Sequence, residues 1–321
     1  MKVLTYFQYG SPEMLQLQEV EKPVPKDDEV LVKVHAVSLN ASDMEMLTAN
    51  PSYVRMWGFF KPKFNILGSD ISGVVEAIGE NVSQFKVGDE VFGDNFERWG
   101  GLAEYVSIPV NKLLQKPKDL TFEEAAALPQ AGVVALQGLR DKGQIQSGQK
   151  VLINGAGGGA GTFAIQLAKH FGAEVTGVDN ELKLELMRFL GADYIVDYQK
   201  EDFTKKGKQY DLIFDLVAHR SIFDHKRALN SNGKYVVAGG AIPQLLQTLF
   251  VGGLISIMSK KNMGILVHQQ NKKDINYMVE LLQNKKIVPI IDKTFPLENA
   301  ADAFQYLLEG SAKGKVVIKI W

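Results

Sequence analysis

The chain has 321 residues, of which 45% are hydrophobic and 23% charged, a composition typical of a globular protein of about two domains. Lys and Arg number 36 and Asp and Glu 37, so nothing in the overall charge attracts the chain to nucleic acid or anionic lipid. The absence of cysteine excludes disulfides, thiolate nucleophiles and every cysteine-containing zinc or iron–sulfur site.

The N-terminal sequence MKVLTYF alternates like a first strand and is not followed by the long apolar run of a secretory signal, which favours a cytoplasmic protein. The most apolar stretch, residues 245–258, is shorter than the ~20 residues that a membrane span needs. We therefore expect no membrane span and interpret this stretch as buried or subunit-facing, with membrane contact as the alternative.

Residues 1–123 consist of short β-like runs separated by turn signals, such as EVLVKVHAVSL and DISGVVEAIG, and predict a β-rich domain. Thr121 and Glu124 then have the spacing of a capping box, which predicts the start of a helix. Pro129 is expected to kink this helix or break it in two.

After Gly148 apolar runs alternate with helical stretches, which predicts βαβ units and a parallel sheet of six strands. The last strand of this sheet is predicted at residues 263–268. Beyond residue 268 the pattern predicts a helix, a short strand, a second helix and a final strand.

A glycine-rich sequence, VLINGAGGGAG (151–161), follows an apolar strand and opens a helix, which is the context of a dinucleotide-binding loop. Glycines let the backbone approach a pyrophosphate, which the free N–H groups at the helix N-terminus can hold. Two registers fit, Gly155/Gly157/Ala160 and Gly155/Gly158/Gly161. No Lys-Ser/Thr pair follows, so a nucleoside triphosphatase loop is excluded.

Asp179 ends the next predicted strand at about the offset of the acidic residue that binds the ribose hydroxyls of NAD and repels the 2′-phosphate of NADP. Taken alone it favours NADH. The alternative is that Asp179 or Asn180 caps the helix predicted at 181–190. Lys183 and Arg188 are nearby cations that can offset the repulsion or are simply solvated.

With these motifs the chain resembles the medium-chain dehydrogenase/reductase superfamily, in particular its zinc-free quinone oxidoreductase (zeta-crystallin-like) branch. The resemblance runs nearly end to end. It rests on the following sequences: LNASD (39–43), ILGSDISGVVEAIG (66–79), VGDEVFG (87–93), GGLAEYVSIP (100–109), FEEAAALPQAG (122–132), the glycine motif, LGADYIVDY (190–198), GKYVVAGG (233–240) and GKVVI (314–318).

The resemblance implies an α/β fold in which a Rossmann-type, doubly wound parallel-sheet domain is inserted in a β-rich, GroES-like catalytic domain. The expected division is a catalytic domain at 1–123 and 269–321 and a dinucleotide-binding domain at 124–268, with the active site in the cleft. It also implies a homodimer, formed through the edge strand predicted at 263–268.

Zinc-dependent members of the superfamily hold the metal with Cys, His and Cys, and the matching positions here are Asn40, Ser69 and Ala131. None is a competent soft ligand, so no zinc is expected. Without a metal, a carbonyl must be polarised by hydrogen bonds or be reactive already, as quinones and enones are.

Asn40 and Asp43 match the active-site loop of the branch, where the Asn amide would hydrogen-bond the substrate oxygen or the nicotinamide. For Asp43 a turn or helix cap is an equal alternative to a catalytic role. Tyr53 is a candidate proton donor. It lies in an aromatic-rich segment (50–64) that departs from the family pattern and would either shape an apolar pocket or pack as a lid.

In the cofactor domain the resemblance implies a set of contacts with NADPH or NADH. Val133 and Val134 would lie against the nicotinamide, Asp215 and Val217 near the ribose, and Tyr198 beside the adenine. The complete set of expected cofactor-binding residues is Val133, Val134, Gly155, Gly157, Gly158, Gly159, Gly161, Asp179, Asn180, Lys183, Tyr198, Asp215, Val217, Ala238, Gly239 and Gly240. Ala218 stands where relatives have Gly.

Of the five histidines, none has a partner at the spacing of a catalytic triad or metal site, and His170 and His225 are predicted to be exposed on helices. The sequence thus favours a zinc-independent NAD(P)H-dependent reductase of quinones, enones or related conjugated carbonyls. An alcohol or aldehyde dehydrogenase and a non-catalytic NAD(P)H-binding protein are the alternatives.

Overall fold

A computed structural model describes all residues from Met1 to Trp321. The chain forms two compact units. Unit 1 comprises Met1–Gln130, Gln270–Val279 and Pro289–Trp321, and unit 2 comprises Ala131–Gln269 and Glu280–Val288. The second unit is thus inserted in the sequence of the first.

The strands, in chain order, are β1 (Lys2–Thr5), β2 (Gln16–Glu19), β3 (Glu29–Leu39), β4 (Asp70–Ile78), β5 (Glu90–Asp94), β6 (Tyr105–Pro109), β7 (Leu113–Gln115), β8 (Lys150–Asn154), β9 (Glu174–Asp179), β10 (Tyr194–Asp197), β11 (Tyr210–Asp215), β12 (Leu229–Val237), β13 (Asn262–Ile265), β14 (Ile291–Pro296) and β15 (Lys315–Lys319). The α-helices are α1 (Ala41–Thr48), α2 (Phe122–Ala127), α3 (Pro129–Leu136), α4 (Gly159–His170), α5 (Leu184–Phe189), α6 (Ile222–Ala228), α7 (Ile242–Leu246), α8 (Gly253–Met258), α9 (Lys272–Gln283) and α10 (Ala300–Leu308).

Unit 2 contains a six-stranded sheet in the order β10-β9-β8-β11-β12-β13, and every neighbouring pair is parallel. This confirms the predicted six-stranded parallel sheet. Numbered within the unit, the order is 3-2-1-4-5-6, the doubly wound arrangement of dinucleotide-binding folds. The order reverses between β8 and β11, so their carboxyl ends define the crevice where such sheets bind ligands.

Unit 1 is built on a seven-stranded sheet with the path β14-β15-β3-β4-β5-β7, and β6 also pairs with β3. β3 spans the whole predicted run EVLVKVHAVSL and is buried along most of its length. Its antiparallel pairing with β4 and β15 brings together residues near 40, 70 and 316. These pairings assemble the polar cluster described below.

The predicted helix start at Thr121 is confirmed. Thr121 Oγ1 accepts from the Glu124 N–H at 3.1 Å, and the Glu124 carboxylate accepts from the Thr121 N–H at 2.9 Å. Pro129 is the first residue of α3, which separates α2 from α3 at Leu128. The predicted break at this proline is therefore also confirmed.

The helix predicted at 181–190 is present, beginning as a 3-10 turn (Glu181–Lys183) and continuing as α5 (Leu184–Phe189). One local prediction is wrong. His225 is fully buried instead of exposed on its helix, because its ring stacks on Tyr235 with centroids 4.3 Å apart and lies beside Asp215. His170 is exposed as predicted.

The apolar stretch 245–258 forms consecutive helical segments with several large side chains exposed, including Phe250 and Ile257. β13 lies at one edge of the six-stranded sheet, as predicted, and pairs only with β12. No helix is long and apolar enough to cross a membrane.

Candidate nucleotide site and buried polar cluster

The glycine loop of unit 2 connects β8 to α4 at the point where the strand order reverses. Gly155 has a φ of +83°, which a residue with a side chain rarely adopts. A Cβ added to Gly161 would lie 2.1 Å from the Gly155 carbonyl oxygen. This loop conformation therefore depends on glycine at both positions.

The same loop fits the pyrophosphate of a dinucleotide. The N–H groups of Gly159, Ala160 and Gly161 form the first turn of α4 and have no acceptor within the helix. The positive end of the helix dipole adds to their attraction for an anion. A Cβ on Gly158 would meet nothing closer than 3.5 Å, so space is open beside these donors.

Asp179 turns its carboxylate towards the glycine loop. Its oxygens accept from the N–H groups of Gly157 and Asn180, each at 2.9 Å, and Lys183 Nζ lies 3.2 Å from Oδ1. Asn180 is the residue that caps the following turn, since its side chain accepts from the Leu182 N–H. The carboxylate therefore organises the loop and is neutralised by a buried lysine.

Asp215 is the residue that the family resemblance would place near the cofactor ribose. It is fully buried, and its Oδ1 accepts from the Asn154 side chain at 2.8 Å and from the N–H of Ala218 at 2.9 Å. Tyr235 donates to Oδ2 at 3.0 Å, and His225 Nε2 lies 3.2 Å from the same oxygen. Burial would raise the pKa of Asp215, but His225 and the backbone donors outweigh it and lower the pKa to about 2. Asp215 thus fixes the ends of neighbouring strands from inside the unit.

The other predicted cofactor residues of unit 2 differ in accessibility. Val134, Val217 and the segment 238–240 are half-buried, and Tyr198 is exposed. Val133 is only 1% exposed, so Val134 alone of that pair offers surface to a ligand. Ala218 has a φ of +51°, a left-handed backbone conformation that favours glycine.

In unit 1, Asn40 lies at the end of β3 and caps α1. Its Oδ1 accepts a hydrogen bond from the buried Lys315 ammonium, which also donates to the Leu39 carbonyl at 3.0 Å. Its Nδ2 donates to Asp70 Oδ2 at 3.0 Å and makes a longer contact of 3.4 Å with the Ser38 carbonyl. One N–H of the amide is therefore only weakly engaged.

Asp43 is fully buried and both of its carboxylate oxygens are used by the backbone. They accept from the N–H groups of Asn40 and Gly68, each at 2.8 Å. Burial raises the pKa of Asp43 to about 7 even though both donors act in the opposite direction. The structure supports the helix-cap interpretation of Asp43, because its carboxylate is not accessible to a substrate.

Three carboxylates share the electrostatic field of one lysine. Burial raises the pKa of Asp70 to about 6, with Lys315 opposing the shift, and burial and Asp70 together raise the pKa of Asp94. Burial lowers the pKa of Lys315, and the negative charges of Asp70, Asp43 and Asp94 oppose this shift. The Asp70 carboxylate also accepts from the Gln130 N–H at 3.1 Å.

Tyr53 lies in a 3-10 turn (Ser52–Trp57) and is half-buried. Its hydroxyl donates to the Glu45 carboxylate at 3.3 Å. Burial raises the pKa of Glu45 to about 6, and burial together with Glu45 raises the pKa of Tyr53 to about 12. The phenol therefore keeps its proton near neutral pH and is paired with a carboxyl group that can exchange protons.

The structure thus brings Asn40 and Asp43 together, with Tyr53 on the segment that follows α1. It adds Glu45, Asp70, Asp94 and Lys315, which the sequence interpretation missed. Asp70 could have been found from the sequence, because it directly follows Ser69 in ILGSDISGVVEAIG (66–79), one of the motifs that carry the family resemblance. No group of three His, Cys, Asp or Glu side chains is arranged to hold a metal ion.

Comparison with known proteins agrees with this architecture. Residues 26–118 match the family model described as alcohol dehydrogenase GroES-like domain, and residues 190–318 match the model described as zinc-binding dehydrogenase. The chain is 36% identical to 2-methylene-furan-3-one reductase of Solanum lycopersicum, over 99% of this chain and 79% of that protein.

Two further relatives extend the comparison. The chain is 32% identical to a chloroplastic NADPH-dependent alkenal/one oxidoreductase of Arabidopsis thaliana, over 99% of this chain and 79% of that protein. The solved structure of the quinone oxidoreductase from Coxiella burnetii is 30% identical, with a TM-score of 0.88, 100% of this chain covered and 99% of the other. The chain belongs to the medium-chain dehydrogenase/reductase superfamily and, within it, to the zinc-free quinone oxidoreductase branch.

Proposed function

We propose that the protein is a zinc-independent, NAD(P)H-dependent reductase of quinones, enones or related conjugated carbonyl compounds. The observation that carries this proposal is the glycine loop, which presents the unpartnered N–H groups of Gly159, Ala160 and Gly161 where the strand order reverses. The activities named for the tomato and Arabidopsis relatives support the choice of acceptor.

When bound, the nicotinamide supplies a hydride, which a conjugated acceptor accepts at an electrophilic carbon without help from a metal. We propose that Asn40 uses its weakly engaged N–H to hold the acceptor oxygen, as stabilisation of developing negative charge requires. Tyr53 then donates its proton to the reduced product, and the phenolate that remains is reprotonated by a proton that Glu45 takes up from solvent. Asp43 acts indirectly by fixing the start of α1.

The choice between NADPH and NADH depends on Asp179 and Lys183. The Asp179 carboxylate disfavours a 2′-phosphate, but its charge is paired with the Lys183 ammonium. We propose that both nucleotides bind through Gly155, Gly157, Gly158, Gly159 and Gly161. The remaining contacts come from Asn180, Val134, Tyr198, Val217 and the segment Ala238, Gly239 and Gly240.

Isotope transfer tests this function directly. NADPH and NADH carrying deuterium at nicotinamide C4 would each be incubated with an α,β-unsaturated ketone. Mass spectrometry and NMR would then show which carbon of the product carries the deuterium. The proposal predicts deuterium at the β-carbon. Deuterium at the carbonyl carbon would indicate an alcohol or aldehyde dehydrogenase, and nucleotide binding with no transfer to any enone or quinone would indicate a non-catalytic binding protein.

We also propose a cytoplasmic homodimer formed through unit 2. Several large apolar side chains are exposed close to the open edge of the sheet: Leu246, Leu249, Phe250, Leu254, Ile257 and Met258. Burying such a face against a second copy removes apolar surface from water, and the unpaired edge of β13 can continue the sheet. Sedimentation equilibrium tests this proposal, which predicts a dimer for the native chain and a monomer for Ile257→Asp; a monomeric native chain would contradict it.

A further inference from the structure

The aromatic segment 50–64 of unit 1 divides into two parts. Val54 is buried, and Tyr53 and Phe64 pack against the hydrophobic core of the unit. Met56 and Phe60 are 85% and 90% exposed, and Trp57 and Phe59 between them are also exposed. The segment is thus not closed as a lid, because its largest apolar side chains face water.

The exposed part is held in a defined conformation. The Tyr9 hydroxyl donates to the Gly58 carbonyl at 2.7 Å, and the Arg55 guanidinium donates to the Phe59 carbonyl at 3.1 Å. A Cβ on Gly58 would lie 2.2 Å from the Lys61 carbonyl oxygen, so the turn is tight. The exposed rings are therefore presented by a fixed turn.

The charge of this segment differs from that of the whole chain. Between Glu45 and Asp70 there are three basic residues, Arg55, Lys61 and Lys63, and no acidic residue. All three are exposed, and no ion pair involves them. Basic side chains beside exposed Trp and Phe are typical of protein surfaces that insert at the interface of an anionic bilayer.

We propose that the tip formed by residues 55–63, the aromatic–basic tip, docks this protein on the surface of an anionic phospholipid bilayer. The rings of Trp57, Phe59 and Phe60 enter the boundary between headgroups and acyl chains while Arg55, Lys61 and Lys63 contact lipid phosphates. Lys261, which follows the apolar face near β13, donates to the Lys226 and Leu229 carbonyls at 2.7 and 2.8 Å. That face also adjoins the unpaired edge of β13, which is why we assign it to a second copy and not to lipid. The docking proposal does not depend on the proposed enzymatic function.

Vesicle sedimentation with the full chain tests the proposal without any turnover. The probes are vesicles of phosphatidylcholine alone and of an equimolar mixture of phosphatidylcholine and phosphatidylglycerol. We expect binding to the mixed vesicles, weakened by salt, and little binding to phosphatidylcholine. Lys61→Gln/Lys63→Gln should weaken binding by about fivefold for each charge removed, and Phe59→Ser/Phe60→Ser should abolish it.

Matched variants control for general loss of charge and apolar surface. Lys285→Gln/Lys286→Gln removes two exposed charges, and Val24→Ser/Phe189→Ser removes two exposed apolar side chains, all outside the tip. Both should bind vesicles like the native chain. Trp57 fluorescence, read in a Trp321→Phe background because Trp99 is buried, should shift to the blue on binding.

Failure of the native chain to bind mixed vesicles would overturn the proposal, as would tip variants that bind like the native chain. If the tip variants instead change the oligomeric state in sedimentation equilibrium, the surface contacts a second copy and the proposal is wrong. Because the readouts are binding and fluorescence, these outcomes are distinct from any failure of the reductase activity.

Discussion

The ammonium of Lys315 donates a hydrogen bond to the side-chain oxygen of Asn40, although the two residues are 275 positions apart in the chain. This contact fixes the orientation of the Asn40 amide, because a lysine can only donate. Nδ2 therefore faces Asp70, and its other contact, with the Ser38 carbonyl, is 3.4 Å long. A buried lysine thus determines which group of Asn40 is only weakly engaged.

Removal of Lys315 alone should be more damaging than its removal together with Asp70, whose buried carboxylate it stabilises electrostatically. Lys315→Met leaves the buried Asp70 carboxylate without its cation and should cost about 3–5 kcal/mol of unfolding free energy. Lys315→Met/Asp70→Asn should recover most of that loss. Urea unfolding of both variants measures this difference, and a double variant no more stable than Lys315→Met would contradict the account.

The proton-donor role of Tyr53 predicts an effect that depends on the acceptor. Tyr53→Phe should lower kcat for an enone by about 10²-fold or more, because the enolate left by hydride addition at the β-carbon must receive a proton. With a para-quinone the effect should be much smaller, because the hydroquinone anion takes a proton from water. Equal losses of kcat for the two acceptors in steady-state assays would show that Tyr53 is not the proton donor.

The two glycines of the loop should respond differently to substitution. Gly158→Val should fold normally but lose nucleotide binding, because the added side chain fills the space beside the free N–H groups. Gly161→Ala should destabilise the protein itself, since its Cβ would overlap the Gly155 carbonyl. Calorimetric titration with NADPH and thermal unfolding separate the two effects. Undiminished binding to folded Gly158→Val would refute the loop as the pyrophosphate site.

Asp179→Ser should shift nucleotide preference towards NADPH. The change removes a carboxylate and releases the Lys183 ammonium to pair with a 2′-phosphate, so we expect the ratio of the two dissociation constants to change by about tenfold. Glu185→Gln removes one exposed negative charge from the same segment and serves as the control. An unchanged ratio in Asp179→Ser would limit Asp179 to organising the loop.

The raised pKa of Asp43, about 7, predicts a stability that falls with rising pH. The folded state binds the proton more tightly than the unfolded state, so the stabilisation is complete below the unfolded pKa of about 4 and is lost as pH rises through 7. Asp70 and Lys315 act on the same carboxyl group in opposite directions. Asp43→Asn should therefore flatten the pH dependence between pH values of about 5 and 8, measured by urea unfolding. The exposed Asp28→Asn should leave the slope unchanged, and an equally steep slope in Asp43→Asn would contradict the assignment.

Most of the fold follows from local signals in the sequence. β3 coincides with one apolar run, the Thr121–Glu124 capping box begins α2, and Pro129 begins α3. Each of these features depends on residues a few positions apart. The glycine loop could also be predicted from the sequence, because its conformation depends only on the loop residues and on the strand and helix beside them.

The polar cluster and the role of Asp215 were not predictable in this way. Lys315 meets Asn40 only because β15 pairs with β3, and Asp70 enters through the pairing of β3 with β4. His225 is polar and lies on a short helix, so its pattern resembles a surface position. Only the three-dimensional structure shows that it packs on Tyr235 beside Asp215.

The proposed reaction is reduction by a nicotinamide nucleotide without a metal. The most direct test is the oxidation of NADH and NADPH, measured side by side with a simple para-quinone in the presence and absence of a strong chelator. The account predicts turnover at the same rate with and without the chelator. Turnover abolished by the chelator and restored by added zinc would contradict it.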